Sequence, residues 1–258
     1  MPRPRVYKTE AIVLRQQSLG EADRIVTLLS PVAGKVRAVA RSVRRPKSKL
    51  GGHLELLNRV HVSIAEGRSL DHVTEADTLD SRLTLKSDLE RLSAGLYIAE
   101  AADAFSVEDT PSQEAYRLLA LSLALLEAPA EQAPLLRHFE LRLLGISGFG
   151  PELYCCVYCR EDLQPVRHTF SHDDSGVVCS RCRHEAGGAL TSLSVRSMKA
   201  LRYLDRQPLA HILKLELADQ TWAEVGRVLG TQLRHVAERD IRSADFMRRL
   251  SSASGTAT

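Results

Sequence analysis

The chain has 258 residues, 44% hydrophobic and 26% charged, the composition of one large globular domain or two to three smaller ones. Aromatic residues make up only 5%, so the core is expected to rest mainly on Leu, Val, Ile and Ala, and rich aromatic ligand boxes are not expected. The net charge of +3 hides an asymmetry: residues 1–50 hold twelve Lys or Arg against three acids, an excess of +9.

No apolar stretch after Met1-Pro2-Arg3-Pro4-Arg5 could serve as a signal peptide. The longest apolar run, 118–126, is interrupted by Ser122 and falls far short of the ~20 residues of a membrane span. A soluble, cytoplasmic protein is expected.

From Val6 to Asp77 the hydrophobic pattern has a period of two, broken by turn residues, which predicts five short strands. The first covers 11–15 and the second 24–29; Ser30-Pro31-Val32-Ala33-Gly34 turns the chain into the third, 35–41. There Val36, Ala38 and Ala40 share one face, which leaves Lys35, Arg37 and Arg41 as a basic row on the other. Val60, Val62 and Ile64 mark the fourth strand, and Leu70 and Val73 the fifth. Five strands in about 75 residues suggest an OB-type or SH3-like barrel. With Arg44, Arg45, Lys47 and Lys49, the stretch 31–54 carries seven cations and no acid, a footprint for phosphate. No Phe, Tyr or Trp lies between Tyr7 and Tyr97, so base-stacking platforms are missing and binding should be electrostatic, largely indifferent to sequence and open to single and double strands.

After Asp80 the period becomes helical. Leu85, Leu89, Leu92, Leu96 and Ala99 share a face, and helices are expected over 113–127 and 132–145, with Ala128-Pro129 as a stop between them. Gly145 to Pro151 breaks the pattern. Helices resume over 194–205, 209–217 and about 221–250, before a Ser/Thr/Ala tail, 251–258, expected to be disordered. The predicted fold is thus multidomain α+β: an OB-like barrel over 1–80, then an all-α domain over 81–250 with a metal module inserted at about 150–188.

That module carries the strongest local signal. Cys156-x2-Cys159 and Cys179-x2-Cys182 form two knuckles that present four thiolates to one ion, the set of a closed, structural zinc site. Cys155 is spare, although a set using Cys155 with Cys159 is an alternative. His168, His172 and His184 are expected to be solvated loop residues rather than ligands. Enzymatic motifs are missing: no P-loop surrounds Gly34-Lys35, so no nucleotide cofactor is implied, and there is no Gly-x-Ser-x-Gly elbow and no His-Glu-x-x-His helix. A non-enzymatic protein is expected.

Ala11-Ile12-Val13-Leu14-Arg15, the run from Gly20 to Leu29, Gly34 to Arg41, Arg44 to Leu50, Glu140 to Gly145, Phe149, Pro151 and the cysteines together resemble the RecO recombination mediators of bacteria. The resemblance spans almost the whole chain. It implies an OB barrel, a helical domain and a four-cysteine zinc module, with strand annealing and recombinase loading on single-stranded DNA coated by single-strand binding protein (SSB), and RecR and SSB as partners. It departs from the family at Cys155, which is extra, at Arg160, where a glycine commonly follows the second cysteine, and in the spacer before Cys179. For the acidic, partly apolar SSB tail the expected dock is a helical groove rimmed by Arg196, Lys199, Arg202 and Arg206. The rival reading is an RNA-binding or translation-associated module, where an OB-like barrel and a zinc ribbon also occur together.

Overall fold

The computed structural model describes residues 6–128, 131–238, 241 and 243. Pro129, most of the expected last helix beyond 238, and the tail 251–258 lie outside the described residues. Residues 6–128 with 243 form one compact unit, and 131–238 with 241 a second. The change of period at residue 80 marks the end of the barrel, but the compact unit runs on through the helices that follow.

In the first unit five strands close into a barrel, β1 (Val6–Leu19), β2 (Asp23–Ser30), β3 (Gly34–Ala40), β4 (Arg59–Ala65) and β5 (Asp71–Asp80), in the order β1-β2-β3-β5-β4. All pairings are antiparallel except β3 with β5, which meet in parallel at Ala38↔Asp71 and Val39↔His72. That order decides between the two barrels the pattern allowed, in favour of the OB-like one. Its interior is aliphatic, filled by Ala11, Val13, Val26, Leu28, Val36, Ala38, Val60, Val62, Ile64 and Val73.

β1 and β5 are longer than expected. Around Ala11-Ile12-Val13-Leu14 every residue is buried, because a helix covers the outer face of the strand and the alternation is lost to burial on both sides. β5 excludes Leu70 and continues to Asp80, its pattern obscured by outward acids and by a register shift opposite Ser63/Ile64. The expected stripe from Leu85 to Ala99 does not belong to one helix. A short turn, α1 (Leu83–Lys86), ends before Asp88, whose side chain accepts the backbone N–H of Arg91 at 3.0 Å and starts α2 (Leu89–Phe105). Leu89 is 56% exposed, and α2 buries small residues instead, Ala94, Ala101 and Ala102 beside Tyr97 and Ile98. α3 (Gln113–Leu125), capped by Ser112, completes the unit, and Glu100 of α2 accepts hydrogen bonds from Ser243.

The second unit contains α4 (Gln132–Ile146), a three-stranded sheet β7-β6-β8 (β6 His168–Ser171, β7 Gly176–Val178, β8 Leu190–Leu193), α5 (Val195–Arg206), α6 (Leu209–Ile212) and α7 (Asp219–Ala237). Phe139, Leu143, Leu201, Leu204, Val225 and Leu229 are buried in it. The expected helix over 209–217 shrinks to the single turn α6. α7 stops where Glu238 turns left-handed at φ +50°, short of the expected Leu250. Among the described residues no helix is long and apolar enough to cross a membrane.

Gly34 stands at φ +71°, where the turn between β2 and β3 meets the loop before α3, and a Cβ there would lie 2.4 Å from the Thr110 carbonyl oxygen. Gly20, at φ +60°, faces open space. Gly34→Ala is therefore expected to lower unfolding stability by about 2 kcal/mol or more, and Gly20→Ala by only about 1 kcal/mol, the conformational cost alone. Denaturant midpoints measure both, and equal losses would contradict the packing assigned to Gly34.

Candidate nucleic-acid interface and metal centre

The seven cations of the basic segment fall into two groups. Lys35 is tied down: its Nζ donates to the Asp103 carbonyl at 2.9 Å and lies 3.3 Å from the Asp103 carboxylate, with both side chains largely buried. Arg37 pairs with Glu108 at 3.7 Å. Both acids come from the end of α2 and the loop after it, about seventy positions downstream, and no local signal in the sequence announces them. Arg41, Arg44, Arg45, Lys47 and Lys49 are exposed and make no ion pair among the described residues.

These five stand on an ordered loop. Val43, Leu54 and Leu57 bury their side chains, and the Leu57 N–H donates to the Val13 carbonyl at 2.9 Å while the Val13 N–H donates to Asn58 at 3.0 Å. The Asn58 side-chain amide donates to the carbonyls of Gly52 and His53, and the Arg44 N–H donates to Ala22 at 3.0 Å. Apolar anchors thus face in and cations out. Sequence reasoning did not single out Arg15, an exposed cation on β1 that lies in register with Thr27 and, across β2, with Arg37.

In the second unit the sulfurs of Cys156, Cys159, Cys179 and Cys182 all lie within 4.8 Å of one another, with Cys159 and Cys179 at 3.8 Å. All are free thiols, and Cys155 is not part of the group. Around the first cysteine pair the Arg160 N–H donates to the Cys156 carbonyl, the Cys156 N–H donates to the Glu161 carbonyl, and the Val157 N–H ties the knuckle to β7. Before it, Glu152 accepts the N–H of Tyr154 at 2.8 Å and of Cys155 at 3.2 Å, which holds its carboxyl below the usual range. Burial and the neighbouring thiol of Cys179 push the Cys182 thiol up; against burial, the backbone N–H of Cys182 and the Cys156 thiol hold Cys179 down. Four sulfurs this close cannot all ionise unaided, and a cation held among them would supply the missing charge.

The histidines are placed differently from expectation. His168 is buried with Nε2 2.7 Å from the Gln164 carbonyl, and His172 is buried between Gln232 and Thr191; only His184 is exposed. The two buried rings serve strand β6 and its contact with α7, and none of the three joins the sulfurs. The four basic residues of α5 also divide. Arg196, Lys199 and Arg206 are exposed and Arg202 is half-buried, with Arg202 and Arg206 lying over the Tyr154 ring at 5.2 and 4.1 Å. Arg202 also donates to the Leu153 carbonyl, and Tyr154 donates its hydroxyl to Asp205. These contacts fasten the start of the cysteine module to α5.

Arg160 follows the second cysteine at φ +59°, a left-handed conformation that suits glycine. Its side chain is exposed, so Arg160→Gly is expected to raise stability by about 1 kcal/mol, seen as a higher thermal midpoint. A clear drop would mean that the guanidinium contributes a contact that outweighs the backbone strain.

Residues 4–82 match the family model described as Recombination protein O N terminal, and residues 86–245 that described as Recombination protein O C terminal. The chain is 40% identical over 245 residues to the DNA repair protein RecO of Roseiflexus sp. (strain RS-1), covering 95% of this chain and 86% of the relative. It is 34% identical over 253 residues to the DNA repair protein RecO of Dehalococcoides mccartyi, covering 98% and 99%. A RecO of Symbiobacterium thermophilum is also 34% identical, over 251 residues. The barrel, the helices, the four-cysteine cluster and these matches along nearly the whole length agree: the chain belongs to the RecO family of DNA repair proteins.

Proposed function

We propose that this protein is a non-enzymatic, cytoplasmic recombination mediator that holds DNA by its phosphates, anneals complementary strands and assists recombinase loading on SSB-coated single strands, with RecR and SSB as partners. The observation that carries the reading is the anchored loop from Arg41 to Lys49, which presents five exposed cations without a neighbouring acid pair. Such a row lowers the repulsion between two phosphate backbones brought side by side, which annealing requires. The lack of aromatic residues from 8 to 96 makes the contact tolerant of sequence and of strandedness. Lys35 acts as a support that joins β3 to the α2 end and contributes to DNA contact only indirectly, whereas Arg37, exposed beside Glu108, is open to phosphate. On α5, Arg196, Lys199 and Arg206 are the exposed cations open to the acidic SSB tail, while the half-buried Arg202 maintains the face on which they stand.

The ion of the cysteine cluster is Zn2+, one per chain, in a structural role. A tetrahedral zinc with bonds of about 2.3 Å has sulfur–sulfur edges of about 3.8 Å, and Cys159 and Cys179 stand at that distance. Four sulfur ligands leave no position for water, so zinc would supply cross-linking and no chemistry.

Binding to a single strand is expected to weaken with salt at a log–log slope of roughly −2 to −4, about −0.7 for each of three to five phosphate contacts. Replacing Arg44, Arg45, Lys47 and Lys49 with Ala removes most of that slope; unchanged affinity at low salt would refute the loop as the contact surface. Lys35→Ala is expected to behave oppositely, costing about 2 kcal/mol of stability by stripping a partly buried Asp103 of a partner, with the salt slope intact. RNA of equal length, and annealing of SSB-coated strands, separate this reading from an RNA-binding one.

Metal analysis of the purified, reduced protein should give one zinc per chain. Cys156→Ser is expected to lose the metal and the cooperative unfolding of the second unit, whereas Cys155→Ser keeps both. Retention of full zinc by Cys156→Ser would show that a different ligand set is in use.

A further inference from the structure

Beside the basic loop the first unit has a cavity of about 510 Å³ between the tip of the β1–β2 hairpin and the chain leaving β3. Leu19, Glu21 and Asp23 line it from the hairpin, and Arg41, Ser42 and Arg45 from the loop. Two hydrogen bonds hold the two sides together: the Arg44 N–H donates to the Ala22 carbonyl at 3.0 Å, and the Ser42 N–H donates to Asp23 Oδ1 at 2.7 Å. Asp23 is thereby occupied in shaping the site. Glu21, exposed and without a hydrogen bond or ion pair among the described residues, leaves a carboxylate facing the same space as two exposed guanidinium groups.

The volume is that of a small-molecule site and admits one nucleotide. The donor and acceptor types are divided as a nucleotide divides them. Arg41 and Arg45 suit the flanking phosphates, and a carboxylate suits a base edge that offers hydrogen-bond donors. Among the four bases only guanine offers two adjacent donors on its Watson–Crick edge, N1–H and the N2 amino group, which a carboxylate accepts side by side. Cytosine and adenine offer one amino group, and thymine a single N3–H. In a duplex that edge is already paired, so a contact of this kind is open to unpaired strands alone.

We propose that this cavity seats one unpaired guanine nucleotide of the bound strand, with Glu21 accepting the base edge and Arg41 and Arg45 on its phosphates. The inference rests on the phosphate-binding reading above and adds to it a single position at which a base is read. It gives an otherwise sequence-tolerant surface a mild preference and a means of telling an open strand from a closed one.

The test uses the full chain and three labelled oligonucleotides: dT15, dT15 with one central dG, and the same strand with deoxyinosine, which lacks the 2-amino group, at that position. The dG strand is expected to bind roughly fivefold tighter than dT15, the low end for a bidentate base contact, because the cavity is open to water. Deoxyinosine should lose most of the gain. In Glu21→Ala the dG-to-dT ratio should fall to about one, while binding of dT15 itself is kept or strengthened by the loss of a negative charge. Equal affinity for dG and dT strands in the unaltered protein, or a preference that survives Glu21→Ala, would overturn the proposal and leave backbone binding standing. Failure of dT15 to bind at low salt would instead sink the phosphate-binding reading. Competition by free dGMP as effective as by the dG strand would reassign the cavity to a mononucleotide and overturn its role on the strand.

Discussion

Lys35 stands on β3 with its ammonium 2.9 Å from the Asp103 carbonyl oxygen and 3.3 Å from the Asp103 carboxylate, both side chains mostly out of water. In that setting an ion pair is strong because solvent screens it little, and breaking it leaves a charge stranded. The contact pins the end of α2 to the barrel. Beside it Asp109 donates its N–H to the Lys35 carbonyl, and Thr110 lies against the bare face of Gly34. The ammonium of Lys35 is therefore covered by protein, whereas Arg37, two residues on, stays exposed beside Glu108. This junction sets Lys35 apart from the exposed cations that follow it along the chain.

The loop that carries the remaining cations owes its order to apolar residues scattered within it. Val43 and Leu54 join the barrel core, Leu57 is buried beside Gly95 of α2, and the bonds between Val13, Leu57 and Asn58 stitch the loop to β1. A charged row on a preordered frame presents its field without a large ordering cost on binding, which favours rapid, salt-sensitive capture of a polyanion. The same frame joins the β1–β2 tip to residues 42–45, so the cavity beside Glu21 is built by the bonds that hold the basic loop.

The cysteine module obeys a different economy. Between α4 and α5 it offers few large apolar side chains, Leu153, Leu163 and Phe170 among them, too few for an independent core. Its order comes from the sulfur cluster, from the bonds of His172 to Gln232 and Thr191, and from Tyr154 held by Arg202 and Arg206. The cysteine cluster is thus one of several fastenings. Its two knuckles are set by local hydrogen bonds to Cys156 and Cys182, and Arg160 keeps its left-handed backbone because those bonds require it.

Local pattern was enough to read five strands, the helical half, the Cys-x2-Cys pairs and the basic segment, because period, turn residues and ligand spacing are properties of neighbours in the chain. The choice of Cys156 over Cys155 was legible for the same reason. What lay outside local pattern was everything made by distant partners. The parallel contact of β3 with β5 selected the OB-like barrel. The cover of α2 hid the alternation of β1, and Asp88 split a stripe of leucines that looked continuous. Asp103 drew Lys35 into a mostly buried pair, and Tyr154 drew Arg202 and Arg206 over its ring. The sequence by itself determined which residues were charged, apolar or paired at Cys-x2-Cys spacing; the tertiary structure alone decided which of those charges met each other and which met solvent, because pairing and desolvation depend on distance in space rather than along the chain.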